Sequence, residues 1–321
     1  MEGGRVRIEC NSFPVAEYGR YQLKFGGVIA PLSIVTSKFL IAEIPADAVS
    51  GPVTLSLPEE ETNGIYFEVG KLLASNLHNV GNPAFDAEGN LLVTFSGARG
   101  QKVPVTIFKL DREGNVHPFI SDIPNPTGMA LGKEGTIYVS SRFDGSLYQI
   151  SRKGEIKVFA QGLGVATGVA LDHEGNIFVG DRNGTVFKVE ESGKVRSFFK
   201  VPASVAAFHL AFGPDHNLYL AGPTLSSRDS ILRIKSDGEV STFFSGLSRP
   251  QGLAFDAQGN LYVVAYLGGE GGVVKITPKG EAGLAIAGSN LVGLAFDKEG
   301  NFFLASHHAV FQMSLKKSDS K

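Results

Sequence analysis

KLLASNLHNVGNPAFD, at residues 71–86, is the stretch of sequence that decides the fold. Similar passages occur twice more, as KVFAQGLGVATGVALD at residues 157–172 and TFFSGLSRPQGLAFD at residues 242–256. In each passage an apolar pair precedes a small or polar turn and a leucine, and a second apolar run follows. This recurrence indicates a chain built from repeats, which have to be identified before other motifs are interpreted.

The repeat is clearest in a hairpin turn of the type D-x-E-G-N, whose fifth residues are Asn90, Thr136, Asn176, Asn217, Asn260 and Asn301. The intervals between them are 46, 40, 41, 43 and 41 residues, which is the period of a four-stranded propeller blade. Each interval holds apolar runs typical of strands buried on both faces. The repeat predicts an all-β fold with a six-bladed β-propeller at residues 71–316, followed by a polar tail at residues 317–321.

The last repeat contains only three strand-like runs, VGLAF, NFFLAS and AVFQMS, before the tail begins. Residues 71–77 have the composition and spacing of the missing fourth strand. We therefore expect this segment to pair with the last repeat, close the ring and remove an exposed sheet edge.

Residues 1–70 contain short runs with a period of two, RVRIEC, YQLKF, FLIAEIP, PVTLSLP and IYFEV, which predict a small β-sandwich. The segments GGRVRIECNSF, KFGG and IPADAVSGPVTLSL resemble the IPT/TIG family of immunoglobulin-like domains. The family's usual strand before the double glycine is absent, so either the domain is trimmed or the natural protein starts earlier. The resemblance implies a spacer or interaction module.

The composition of the chain argues against several classes of partner and site. A net charge of −2 and a pI near 6.4 argue against nucleic acid or an anionic membrane as the partner. The single cysteine, Cys10, excludes an intramolecular disulfide and a multi-cysteine zinc site. No signal peptide and no run long enough to span a membrane are present in the sequence, which predicts a cytoplasmic protein as written, or an extracytoplasmic one if the N-terminus is truncated.

The unit GLAFDAQGNLYVVAYLGGEGGVVKITPKGEA is similar to NHL-repeat propellers and to the senescence marker protein/gluconolactonase family of six-bladed lactonases. That family holds a divalent metal over its central channel with a Glu, an Asn and an Asp, each just before the glycine of a first-strand motif. The corresponding residues here are Gly81, Thr127, Thr167, Phe208, Gln251 and Val292. None is a carboxylate, so no metal or other cofactor is predicted; calcium or another divalent metal belongs only to the lactonase alternative.

A ligand is expected at the face formed by the starts of the first strands and the loops after the second strands, where the repeats converge. We call it the mouth face. Its predicted ligand-binding residues are Thr127, Arg142, Thr167, Asp181, Arg182, Phe208, Gln251, Tyr266 and His307. Arg142, Arg182 and Asp181 suit a polar or anionic ligand, although they could instead pair with one another around a solvated rim.

Three residues are candidates for catalysis: His307, His209 and Gln251. Neighbouring residues of a strand point to opposite faces, so at most one of His307 and His308 faces the channel. Two other motifs are interpreted as turns: LGGEGG at residues 267–272 has no helix after it, as a phosphate-binding loop would require, and the D-x-E-G-N turns lack the full calcium-loop pattern.

Two functions are therefore open. The sequence favours a non-catalytic propeller that binds a small molecule, a glycan or a protein segment at the mouth face. The alternative is a lactonase-like hydrolase, or a lyase, with a rearranged active site. The oligomeric state is left open by the sequence.

Overall fold

The structure is a computed structural model that describes residues 1–57 and 61–313. Residues 314–316 of the predicted propeller range and the predicted tail at 317–321 lie outside the described residues. Within the described part, no helix is long and apolar enough to cross a membrane.

The N-terminal part forms two antiparallel sheets that share one apolar core. Phe25, Ala42 and Ile44 lie in this core and are almost fully buried. One sheet has the order β1-β5-β4 and the other β3-β2-β6-β7. The strands are β1 (Arg5–Glu9), β2 (Gln22–Phe25), β3 (Val28–Ala30), β4 (Leu32–Val35), β5 (Phe39–Glu43), β6 (Gly51–Ser56) and β7 (Ile65–Phe67), with a 3₁₀ segment at Val15–Arg20.

The rest of the described chain consists of four-strand units whose strands are antiparallel neighbours. The first strand of each unit ends in the hairpin turn recognised in the sequence. The strands are β8 (Lys71–Ala74), β9 (Ala84–Phe85), β10 (Leu91–Thr94), β11 (Ile107–Leu110), β12 (Val116–Ile120), β13 (Pro126–Leu131), β14 (Ile137–Ser141), β15 (Ser146–Ile150), β16 (Ile156–Ala160), β17 (Ala166–Leu171), β18 (Ile177–Asp181), β19 (Thr185–Val189), β20 (Val195–Lys200), β21 (His209–Phe212), β22 (Leu218–Ala221), β23 (Asp229–Ile234), β24 (Val240–Ser248), β25 (Leu253–Phe255), β26 (Leu261–Leu267), β27 (Glu270–Ile276), β28 (Ala282–Ala287), β29 (Leu291–Phe296), β30 (Phe302–Ser306) and β31 (Val310–Met313), with a second 3₁₀ segment at Lys133–Gly135.

We number the units from the first strand of each. Units 1 to 3 are β9–β12, β13–β16 and β17–β20, and units 4 and 5 are β21–β24 and β25–β28. Units 4 and 5 merge into one eight-stranded sheet because the long strand β24 pairs at its end with β26, Leu247 opposite Leu267 and Ser248 opposite Tyr266. Unit 6 is β29-β30-β31-β8.

The predicted closing strand is present. Strand β8 pairs antiparallel with β31, with Lys71 opposite Gln312 and Ala74 opposite Val310. The strand is shorter than the predicted 71–77, but the connection continues beyond it because Leu77 N donates to His308 O at 3.0 Å. Leu77 is 5% exposed and lies in the apolar cluster between units 6 and 1.

The hairpin turns are held by an aspartate and an asparagine four residues later. In the first of them, Asp86 Oδ1 accepts from the backbone nitrogen of Asn90 at 2.8 Å, and the Asn90 amide donates to Asp86 Oδ2 at 2.9 Å. Asp172, Asp256 and Asp297 make the same pair of bonds. These carboxylates form hydrogen bonds within their own turns. This is consistent with the interpretation of the motif as a turn.

The first residues of the chain pack against units 5 and 6. The Met1 side chain is 4% exposed and belongs to the same apolar cluster as Val264 and Leu291. Arg5 binds Glu270 in a bidentate pair, with Nη2 to Oε1 at 2.9 Å and Nε to Oε2 at 3.2 Å. The N-terminal part is thus fixed to the β26–β27 hairpin, the predicted turn at residues 267–272.

Candidate functional site

The first strands of neighbouring units approach closely at the centre of the ring, where four of the six corresponding positions are glycine. Gly168 N donates to Phe208 O at 2.8 Å, and Gly252 N donates to Val292 O at 3.2 Å. A Cβ on Gly293 would lie 2.6 Å from Cα of Asn82, closer than real Cβ contacts allow. The centre of the ring is therefore packed by backbone.

Asn82 occupies a glycine position of this ring and binds two other units. Its amide donates to Leu253 O at 2.9 Å, and its Oδ1 accepts from Leu294 N at 3.1 Å. His209 occupies the same position in unit 4 and is 5% exposed. Burial lowers the pKa of His209 to about 4, so this imidazole is neutral at pH 7.

Several residues predicted to bind ligand lie buried in the first strands. Thr127 and Thr167 are 2% exposed, and their hydroxyls donate to Asn125 O at 3.3 Å and Gly180 O at 2.9 Å. Phe208 is 2% exposed and packs in an apolar cluster. A ligand role for these three residues, and a catalytic role for the buried His209, stay predictions.

The structure also bears on the metal that the lactonase resemblance implies. At the six corresponding positions the side chains are a hydrogen, two bonded hydroxyls, two apolar groups and the amide of Gln251. Within residues 1–57 and 61–313, no group of three or more His, Cys, Asp or Glu side chains could hold a metal ion. These positions do not fit the family's metal.

Three of the predicted residues do come together. Gln251, Tyr266 and His307 line a cavity of about 230 Å³ on the mouth face, between units 5 and 6. Arg249 and Asn290 line it as well, together with the apolar residues Val264 and Leu291. The cavity therefore brings several polar side chains together, and such convergent polar groups give a small-molecule site its specificity.

The sequence analysis did not identify Arg249 and Asn290. Both have positive φ values, 52° for Arg249 and 55° for Asn290; Asn290 directly precedes strand β29, and Arg249 lies four residues before strand β25. Both residues stand just before the first-strand motifs Q-G and L-V-G, and this position is the sequence signal that could have identified them. A backbone bond from His307 N to Asn290 O at 3.1 Å fixes one wall of the cavity.

His307 supplies the imidazole of the cavity. Partial burial lowers the pKa of His307, and the adjacent His78 and His308 lower it further, while a hydrogen bond with the Asn79 backbone acts in the opposite direction. The imidazole is therefore neutral at pH 7 and able to accept a proton. His308, its neighbour in the chain, does not line the cavity.

Arg142, Arg182 and Asp181 lie on the mouth face but do not pair with one another. Asp181 is 6% exposed and accepts from Val165 N at 2.8 Å and from Asn183 N at 3.1 Å. The guanidinium of Arg182 donates to Val205 O at 2.8 Å, and that of Arg142 donates to Gly97 O at 2.9 Å. The carboxylate is thus committed to its own loop, and the two guanidinium groups are held by backbone carbonyls.

A larger cavity, about 410 Å³, lies between units 6 and 1 on the opposite face. It is lined by hairpin turns, and the carboxylates of Asp86, Asp111 and Asp297 are already bonded to the asparagines of those turns. Lys109 also pairs with Asp86 at 2.8 Å. Because these three carboxylates serve the turns, this cavity is a weaker candidate site than the one at the mouth.

Comparison with solved structures defines the architecture. The chain is similar to a candidate gluconolactonase, with a TM-score of 0.63 and 19% identity over 76% of this chain and 91% of that one. The fold is a β-propeller. No family model matches the chain, and no curated protein matches it in sequence.

Two further propeller neighbours cover almost the whole chain. One is a catalytically inactive histidine-to-alanine variant of virginiamycin B lyase from Staphylococcus aureus with quinupristin, with a TM-score of 0.57 and 15% identity over 97% of this chain and 100% of that one. The other is an auxiliary nutrient binding protein from Bacteroides thetaiotaomicron, with a TM-score of 0.59 and 14% identity over 98% and 95%. At these identities the likeness establishes the propeller fold alone.

Proposed function

We propose that the chain is a six-bladed propeller that binds a small molecule in the mouth-face cavity between units 5 and 6. The observation that carries the proposal is the convergence of Arg249, Gln251, Tyr266, Asn290 and His307 on one cavity of about 230 Å³. This volume is below the roughly 300–1,000 Å³ of drug-sized ligand sites, so it fits a ligand smaller than those and is too small for a glycan chain or a protein segment. A binding function is in keeping with the auxiliary nutrient binding protein among the structural neighbours.

The same proposal includes the organisation of the chain. Residues 1–70 are proposed to be an IPT/TIG-like domain, supported by two sheets over one core. Residues 71–316 are proposed to be the propeller, supported by the pairing of β8 with β31. The N-terminal domain acts as a structural support, because Met1 packs against Val264 and Leu291, which line the cavity.

Binding in the cavity can be tested with a matched pair of glutamine variants. A library of sugar acids, lactones and amino acids is screened for an increase in the thermal midpoint, and hits are measured by titration calorimetry. Gln251→Ala is expected to weaken the affinity about tenfold, as loss of a hydrogen bond inside a cavity does. Gln258→Ala, in the exposed hairpin turn of the same unit, is expected to bind like the wild type. Equal affinity of both variants would place the ligand elsewhere.

A second function is favoured by His307 and by the lyase neighbour, whose histidine-to-alanine variant is inactive. A neutral imidazole in the cavity can act as a general base on a cyclic ester. In hydrolysis, water attacks the carbonyl carbon and gives its proton to the imidazole, the acyl C–O bond breaks, and the ring oxygen is protonated. In elimination, the imidazole takes a proton from the carbon next to the one that bears the ester oxygen, the C–H electron pair forms a C=C bond between these two carbons, and the alkyl C–O bond breaks to leave an alkene and a carboxylate.

Mass spectrometry of lactones and a streptogramin B incubated with the protein separates these reactions, because hydrolysis adds one water and elimination leaves the mass unchanged. If the chain is an enzyme, His307→Gln is expected to lower the rate about 100-fold or more, and His308→Gln is expected to retain it. The wild-type rate should fall as the pH falls through the lowered pKa of His307, since the protonated ring cannot accept a proton. If the protein turns over none of the cyclic esters, the second function is wrong.

A further inference from the structure

The mouth face carries a second polar feature, formed by arginines of units 1 to 3. Arg142 belongs to the loop after β14, and Arg99 to the loop between β10 and β11. Asn125, 2% exposed, joins the two loops: its Oδ1 accepts from Gly100 N at 2.7 Å, and its backbone oxygen accepts from Arg142 N at 3.3 Å. The buried Asn125 therefore ties the loop that carries Arg99 to the loop that carries Arg142.

Arg142 and Arg182 each use only some of their guanidinium N–H groups to bind backbone carbonyl oxygens. Arg142 uses Nη2 for Gly97 O at 2.9 Å, and its Nε is buried without a partner. Arg182, in the next unit, uses Nη2 for Val205 O at 2.8 Å and Nε for Ser204 O at 3.3 Å. A guanidinium carries five N–H donors, so each group keeps donors for another acceptor.

No carboxylate of residues 1–57 or 61–313 lies within 4.0 Å of these three guanidinium groups. The nearby Asp144 is occupied, because it accepts from Ser146 N at 3.1 Å and from the Tyr148 hydroxyl at 2.5 Å. Burial lowers the pKa of Arg142, and the positive charges of Arg99 and Arg182 lower it further. The three cations therefore repel one another without compensation from the protein.

The distribution of charge between the two faces also favours an anionic ligand at the mouth face. With the strand ends Asp181, Asp229 and Glu270 included, the connections on the mouth face contain six Lys and Arg and five Asp and Glu, whereas the hairpin turns of the opposite face contain 8 Lys and Arg and 17 Asp and Glu. The negative charge of the chain is therefore concentrated on the opposite face, and the mouth face has a small positive excess. Such a separation attracts an anionic ligand to this face and away from the other.

We propose that Arg99, Arg142 and Arg182 form an oxyanion-binding subsite for a carboxylate or phosphate group on the small molecule bound at the mouth face. This inference rests on the proposed function and names its ligand class, a small anionic metabolite. Guanidinium groups form strong charge-assisted hydrogen bonds with both oxyanions. An oxyanion here would also remove the mutual repulsion of the three cations.

Sodium phosphate and sodium acetate, each compared with sodium chloride at equal ionic strength, are the probes. Titration calorimetry and the thermal midpoint are measured for the wild type, Arg99→Gln, Arg142→Gln and Arg182→Gln. Arg152→Gln, an exposed arginine in a turn of the opposite face, is the matched control. Each mouth-face substitution is expected to weaken the affinity for the preferred oxyanion about tenfold, and the control is expected to leave it unchanged. The anion that binds more tightly, phosphate or acetate, identifies the ligand group that the subsite recognises.

The proposal is overturned if neither oxyanion binds the wild type, or if Arg152→Gln weakens binding as much as the mouth-face substitutions do. Should Arg142→Gln fail to fold, the exposed Arg99→Gln gives the same test. Gln251→Ala separates the oxyanion subsite from the proposed ligand cavity. This variant should lose affinity for the library ligand and keep its affinity for phosphate or acetate. If no library ligand is found, phosphate or acetate binding that depends on the arginines still supports the subsite.

Discussion

Leu77→Asp is expected to unfold the propeller. The Leu77 side chain is 5% exposed and packs with Leu91 and Val292 in the cluster that joins units 6 and 1. Removing a buried leucine costs about 2 to 5 kcal/mol, and a carboxylate buried without a partner costs several more. The sum, roughly 5 kcal/mol or more, is comparable with the whole stability of an ordinary domain. Deletion of residues 71–77 is expected to have the same result, because it removes the strand paired with β31.

Leu72→Asp is the matched control for this prediction. Leu72 lies in the same closing strand, opposite Phe311, but its side chain is 54% exposed. A substitution at such a surface position changes the stability by about 0.5 kcal/mol. Thermal and urea unfolding, followed by circular dichroism, compare the two variants. A thermal midpoint of Leu77→Asp within a few degrees of the wild type would contradict closure of the ring by this segment.

Gly252→Ala is expected to destabilise the ring at its centre. A Cβ at Gly252 would lie 2.5 Å from Cα of Gly293 and 2.8 Å from Val292 O, and it would also meet Oδ1 of Asn82. The neighbours are backbone of the adjacent unit, which cannot move without opening the ring. Overpacking of this kind costs about 3 kcal/mol, equivalent to a fall of roughly 6 to 12 °C in the thermal midpoint.

Gly283→Ala provides the comparison, since a Cβ at Gly283 would meet nothing within 4 Å and no positive φ is recorded there. Alanine in this outer strand is expected to be neutral or to stabilise by up to about 1 kcal/mol, through the entropy of the unfolded chain. Both variants are measured in one series of urea unfolding curves. Equal midpoints would show that the centre of the ring tolerates added volume and is not packed by backbone.

The repeat and its closure could be predicted from the sequence because they depend on local chemistry that the sequence displays. The Asp86–Asn90 turn recurs with the same residues, and each copy fixes a hairpin at a known place. Residues 71–74 could be assigned to unit 6 because that unit lacked a strand. The N-terminal strands β3 and β4 were missed, since VIA and LSIV are short runs around a proline with little alternation.

The candidate site was only partly predictable. Gln251, Tyr266 and His307 could be found because each stands at a fixed position of the repeat that faces the mouth. Arg249 and Asn290 lie in connections of variable length, whose conformation follows from their positive φ values and not from the repeat. The burial of Thr127 and Thr167 depends on how closely neighbouring units approach, and a single repeat does not reveal that distance.

The most direct test of ligand binding at the mouth is a map of amide chemical-shift changes on addition of a ligand found by the thermal screen. We predict that the perturbed amides cluster at residues 249–252, 266, 288–291 and 307, around the cavity between units 5 and 6. Changes centred instead on residues 86–89, 111–114 and 297–301, around the larger cavity of the opposite face, would contradict a ligand site at the mouth.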